Sequence, residues 1–384
     1  MPAPTLNRHR DEFPTLASGI HLLSHSLGPI PRAARESMLA YCDAWEHHTG
    51  EDAWANAWWE LSQRVGDRVA RMIGGAPASV QIQPNASIAL ASVASCFDFA
   101  TAKRNKVVTS ALDFPSMEYI WEAQRALGAK IEIVASLDGI TVPLDNTLAA
   151  IDDTTALVAL SHVSFRSSFR VDAKAIVERA HQVGALVLLD VYQSAGAVEL
   201  DANGWGVDFL IGGTIKWLCG GPACGYLYVR PDRQRDLKPR LTGWVAHDAP
   251  FDFAHAPMRY AGSVRRFAQG TPSIPALYSA LPGLQIIEEV GVETIARESR
   301  RRTEWMIEFA LERGWKVNTP RDANQRGGSV MIGVDDGPAM VERLAERKVF
   351  VDCRPGVGLR ISPHFFNTDE EVSEALTILS GLLR

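Results

Sequence analysis

The feature that most constrains this chain is a series of short aliphatic runs between residues 79 and 230, each followed by a stretch with helical spacing. The runs are SVQIQ (79–83), KVVTS (106–110), KIEIVAS (130–136), ALVALS (156–161), ALVLLD (185–190), DFLIGG (208–213) and GYLYVR (225–230). Most lack in/out alternation, so both faces of the sheet must be covered, and the intervening helical patterns supply the cover. This predicts an α/β fold with a doubly wound, mostly parallel, seven-stranded sheet. In such sheets ligands bind beyond the carboxyl ends of the strands, and functional residues are sought there.

Upstream, residues 30–46 and 54–74 read as amphipathic helices that cover the sheet or a partner subunit. Downstream, a helical stretch from Pro275 to Glu312 is expected to break near Pro282 and Gly291. Beyond it SVMIGVD, VFVDCRP and GLRISPHFFN suggest strands of a second, smaller α/β unit. The expected organisation is an N-terminal arm (1–20), a large domain (21–285) and a small C-terminal domain (286–384).

A net charge of −6 without basic runs, apart from Arg300–Arg302, argues against a nucleic-acid partner. No apolar stretch is long enough to cross a bilayer, and the polar N-terminus has no leader-like core, so a cytoplasmic location is expected. The five scattered cysteines suit reduced thiols, and no metal site is expected.

Chemistry concentrates at two strand ends. In IGGTIKWLCGGP, Lys216 follows an apolar strand and is flanked by Ile215 and Trp217. Two readings fit: a lysine whose stem packs while its ammonium reaches water, or a buried amine whose lowered pKa suits imine formation. Asp190 ends the apolar run ALVLLD. It either caps the following turn or pairs with a protonated ring nitrogen, the arrangement that makes pyridoxal 5′-phosphate (PLP) an electron sink. Gln193, three positions on, has an amide that suits the cofactor's phenolate oxygen.

These residues resemble the class V aminotransferase superfamily, and the kynureninases within it, over nearly the whole chain. The resemblance rests on DVYQSAGA (190–197), the lysine of GTIKWLCGGP, FAQGTPS (267–273) and RISPHFFNTDEEV (360–372). It implies the PLP-dependent transferase fold and Lys216 as the residue that holds PLP as a Schiff base, with catalytic roles for Asp190 and His162. Asn85, Ala86 and Ser87 would cradle the phosphate at a helix N-terminus, Phe114 would stack on the ring, and Arg360 would grip the substrate α-carboxylate. Thr271 would reach the phosphate of a neighbouring subunit, and Trp244, in TGWVAH, joins the cofactor set. Together they imply a homodimer with shared active sites.

SHSLGPIP (24–31), the GGP after Lys216 and TGWVAH (242–247) favour kynureninase-like Cα/Cβ-bond chemistry. Gln193 stands where kynureninases usually have histidine, and Ile215 replaces their tyrosine, a pattern nearer to transaminases and desulfurases. Cys353 reads as structural rather than as a desulfurase nucleophile. An epimerase or cyclase of the isopenicillin N epimerase type would share the same site. A PLP-binding regulator would need a basic DNA-binding module, for which the sequence leaves no room, so an enzyme acting on an amino acid is expected.

Overall fold

The structure is a computed structural model that describes residues 8–48 and 50–383, so residues 1–7 of the expected arm lie outside the described residues. The first strand, Ile20–His21 (β1), stands apart from the central sheet. That sheet comprises Val80–Gln83 (β2), Lys106–Ser110 (β3), Lys130–Val134 (β4), Thr155–Ser161 (β5), Leu186–Asp190 (β6), Phe209–Gly213 (β7) and Gly225–Val229 (β8). All seven apolar runs are therefore strands.

Their order is β2-β8-β7-β6-β5-β3-β4, parallel from β7 to β4, with β8 antiparallel to both of its neighbours. The chain winds outward in opposite directions from β3 and from β5, which makes the gap between them the switch point of the sheet. β5 is buried at every residue, as a strand covered on both faces must be. Two apolar clusters flank the sheet, one containing Val158, Leu189 and Leu210 and the other Leu157, Leu188 and Ile211. Neighbouring residues of one strand thus enter opposite cores.

Two helical expectations need correction. The stretch 54–74 is not one helix: Trp54–Trp58 form a π-helical turn, and a regular helix resumes at Leu61–Met72. Within the turn the Trp54 and Trp58 rings pack edge to face at 5.4 Å. The second correction is Pro282, which does not break the helix Ile274–Val290. A proline there has no N–H for the Tyr278 carbonyl. The hydroxyl of Ser37, from the neighbouring helix Ala33–His47, donates to that carbonyl instead at 2.7 Å. Gly291, at φ 85°, does end the helix.

The smaller unit holds Val330–Ile332 (β9), Val349–Phe350 (β10), Asp352–Arg354 (β11) and Gly358–Ile361 (β12). β12 lies antiparallel between β11 and β9, while β10 pairs in parallel with β1. Ile20 and Leu22 are buried in the core of this unit with Met306, Ile332 and Leu376. Among the described residues no helix is long and apolar enough to cross a membrane.

Candidate active site

A cavity of about 250 Å³ opens at the carboxyl edge of the sheet, over the switch point. Every strand end around it contributes. Asn85, Ala86 and Ser87 come after β2, Phe114 after β3, Val163 after β5, Tyr192 and Gln193 after β6, and Lys216 after β7, while Ser161 and Asp190 end their own strands.

At one end of the cavity, the Asn85 side chain caps the helix Ala86–Ala94 by accepting from the Ile88 N–H at 2.9 Å. The N–H groups of Ala86 and Ser87 begin the helix with no partner in the preceding turn, the geometry that binds phosphate. Asn85 is held close because Gly225, in β8, has no side chain: a Cβ there would sit 2.6 Å from the Asn85 backbone.

At the other end lies Asp190, buried, with one carboxylate oxygen accepting from the Tyr192 N–H at 2.8 Å. No cation of the protein pairs with it among the described residues. Burial pushes its carboxyl up to about 6. An anion in this position fits a ligand that brings its own cation, and a protonated ring nitrogen is one.

The Lys216 amine lies 4.3 Å from the Tyr192 ring centroid and 5.7 Å from that of Phe114. Loss of water lowers it to about 8; Asp190 opposes the drop, and Arg360 and Arg354 add to it. A useful neutral fraction therefore exists near neutral pH. Phe114 is 42% exposed, its ring free towards the cavity on one side and packed edge-on against Phe165 on the other. Gln193 is fixed at both ends of its amide, accepting from the Trp217 indole at 3.1 Å and donating to the His25 carbonyl at 2.9 Å. One amide N–H is left for a ligand.

Arg360 is buried and paired. Its Nε donates to one oxygen of Asp352 at 2.7 Å and its Nη2 to the other, while Nη1 reaches the Phe165 carbonyl at 3.2 Å. A guanidinium has five N–H donors, so two remain, one on each terminal nitrogen, arranged for a second carboxylate. Asp352 also faces the His25 Nε2 at 2.8 Å, and burial holds His25 down at about 4. The Asp352 carboxyl lies well below the usual carboxylate range because His25 and Arg360 bond to it.

Three expected residues stand elsewhere. His162 is not at the cofactor: its ring packs against Trp205 at 5.2 Å, while Ser161 and Val163 on either side of it face the cavity. Burial drives His162 down to about 3, so it is a neutral core histidine. Thr271 lines a separate cavity beside Pro84, and Trp244 packs with Phe251 and Trp59; neither touches the Lys216 cavity within one chain. Cys353 packs on Gly337, on the opposite face of its hairpin from Arg360.

Sequence reasoning missed Tyr192, although it lies inside DVYQ, and the His25–Asp352 support of Arg360. The signal for Asp352 is the turn-forming PGVG between it and Arg360, which folds the two into register as a hairpin pair.

The sequence profile of Aminotransferase class-V matches residues 30–374. An uncharacterized aminotransferase of Bacillus subtilis, YcbU, is 32% identical over 370 residues, 96% of either chain. The kynureninase of Geobacillus thermodenitrificans is 28% identical, the match covering 99% of this chain and 92% of the relative. Among solved structures, a cysteine desulfurase from Thermococcus onnurineus superposes with a TM-score of 0.88 at 23% identity, covering 100% of this chain and 98% of the other. The cystine C-S lyase C-DES, in complex with cysteine persulfide, gives 0.84 at 21%, covering 96% and 99%. With a family match over most of its length and a cavity whose phosphate cradle, unpaired aspartate and depressed lysine fit PLP, this chain belongs to the class V aminotransferase family of PLP-dependent enzymes.

Proposed function

We propose that the enzyme works at the β-carbon of an amino acid, in the manner of the kynureninases, with Lys216 as the amine that carries the cofactor. The observation that supports this reading is the SHSLG segment, residues 24–28, which packs behind the site against Ile215, Lys216 and Gln193. The Gly28 N–H donates to the Ile215 carbonyl at 2.8 Å, and a side chain at Gly28 would collide with the Lys216 carbonyl. His25, from the same segment, supports both Gln193 and Asp352. The part of the sequence that resembles kynureninases thus fixes the geometry of the lysine.

When bound, PLP withdraws electrons from the substrate α-carbon. The protein's own groups supply the rest. Ala86 and Ser87 would hold the phosphate, Asp190 would hold the proton on the ring nitrogen, and Phe114 would cover the ring and exclude water. Lys216, whose amine burial lowers to about 8, would take and return protons at the substrate carbons. The two free N–H groups of Arg360 would fix the α-carboxylate and so control which bond of the substrate is set up to break. Thr271 and Trp244 are assigned to the site of a second subunit in a homodimer, a role supported by the exposed aromatic face of Trp244, Phe251 and Phe253.

Transamination is the second reading, favoured by the relative named as an aminotransferase at 32% identity. Product formed from one amino acid alone separates the two. Many turnovers without a keto acid support β-chemistry. Stoichiometric conversion to pyridoxamine phosphate, relieved only by added keto acid, would establish transamination instead.

A further inference from the structure

Beside Arg360 lie two guanidinium groups that neither the cofactor nor the α-carboxylate employs. In the β11–β12 hairpin Asp352 stands opposite Arg360 and Arg354 opposite Gly358. Residues paired in this way share a face, so Asp352, Arg354 and Arg360 lie together, with Cys353 on the other side. The shared face looks towards Lys216, whose amine is depressed by both arginines. The third guanidinium belongs to Arg166, which follows the cavity residue Phe165. Its Nη2 lies 3.5 Å from where a Cβ on Gly356 would stand, in the turn of the same hairpin. Among the described residues the Arg166 guanidinium meets no carboxylate and no hydrogen-bond acceptor.

The charges at this edge do not balance. Arg360, Arg354 and Arg166 have one carboxylate among them, Asp352, which is shared between Arg360 and Arg354, the latter at 3.1 Å, and which Arg166 does not reach. His25 adds no positive charge, because burial keeps it neutral. Two positive charges are left, and the α-carboxylate of an amino acid offsets only one. We infer that the substrate carries a second carboxylate on its side chain, bound by Arg354 and Arg166. The Arg354 and Arg360 guanidinium groups meet the same oxygen of Asp352 and so lie side by side. That proximity suits an acid separated from the α-carbon by one or two methylenes. Arg354 keeps 40% of its side chain exposed, so water screens part of the attraction and the selectivity should be about tenfold rather than thousands.

This inference rests on the proposed placement of the cofactor at Lys216 and of the α-carboxylate at Arg360, not on the reaction that follows. The test uses the PLP-loaded protein, titrated by calorimetry while cofactor absorbance is followed. The ligands are the matched pairs aspartate with asparagine and glutamate with glutamine. At least one acid should bind about tenfold more tightly than its amide, or about 1.4 kcal/mol, and the preference should shrink with added salt. Arg354→Gln and Arg166→Gln should each reduce that preference while leaving the affinity for the amide unchanged. Equal affinity for acid and amide, variants that weaken both alike, or no binding of any of the four would overturn it. Arg360→Gln reports on the underlying reading separately: if it leaves the binding of all four unchanged, the α-carboxylate lies elsewhere.

Discussion

Removing the charge of Asp190 should stabilise the cofactor-free protein, and by an amount that depends on pH. In the absence of PLP this carboxyl has only the Tyr192 N–H for support, and burial raises it from 3.8 to about 6. The folded protein therefore holds the Asp190 proton more tightly than the unfolded chain does. Its stabilising contribution is complete below pH 3.8 and is lost as the pH rises through about 6. At about 1.4 kcal/mol per pH unit, ionising Asp190 inside the fold costs about 3 kcal/mol. Asp190→Asn cannot ionise and escapes that cost. Urea denaturation of the apoprotein at a series of pH values between 4 and 7 measures the difference, a window in which the Lys216 amine, at about 8, stays mostly charged and adds little pH dependence of its own. The asparagine variant should gain on its parent across this window and level off above pH 6. Saturating PLP should reverse the sign, since the carboxylate then faces a protonated ring nitrogen. A difference that stays flat with pH, or an asparagine variant that is less stable throughout, would refute the assignment of Asp190 as a ring partner held in reserve.

Lys216→Ala should fold and lose the visible absorption of lysine-bound PLP; cofactor that stays covalently attached through borohydride reduction and dialysis, its visible band replaced by the near-ultraviolet absorption of the reduced amine, would move the attachment to another lysine. Asp352→Asn should raise KM for amino acids more than it lowers kcat, because Arg360 loses the charged partner that fixes its plane; it should also cost about 2–4 kcal/mol of stability in chemical denaturation, since a buried guanidinium is left half-paired. Ser37→Ala should destabilise the protein by about 1 kcal/mol by leaving the Tyr278 carbonyl without its donor. Ser37→Thr, which keeps the hydroxyl, should recover most of that loss.

The large sheet was legible because a strand covered on both faces must be continuously apolar, and Lys216 and Asp190 were legible because a charge at the end of such a strand needs a reason. What the sequence hid depends on contacts between distant segments. Pro282 reads as a helix breaker until Ser37, on another helix, is seen to serve the freed carbonyl. Asp352 becomes meaningful only when the β11–β12 register sets it opposite Arg360. His162 failed for a simpler reason. Side chains alternate along an extended chain, so with Ser161 and Val163 turned to the cavity, His162 must turn away.

The pairing of β1 with β10 bears on how the molecule is made. Ile20 leaves the ribosome well before its partner Val349, which lies far along the sequence. Until that stretch emerges, His25 has neither Asp352 nor Ser362 to hold it, and the carbonyl that accepts from Gln193 is not fixed. The central sheet, by contrast, has all its strands once residue 229 has emerged. Domains tend to fold as units during synthesis, and contacts between distant parts of the sequence form late. A nascent chain can thus assemble the lysine's sheet well before His25 gains the partners that fix Gln193 and Arg360 in place.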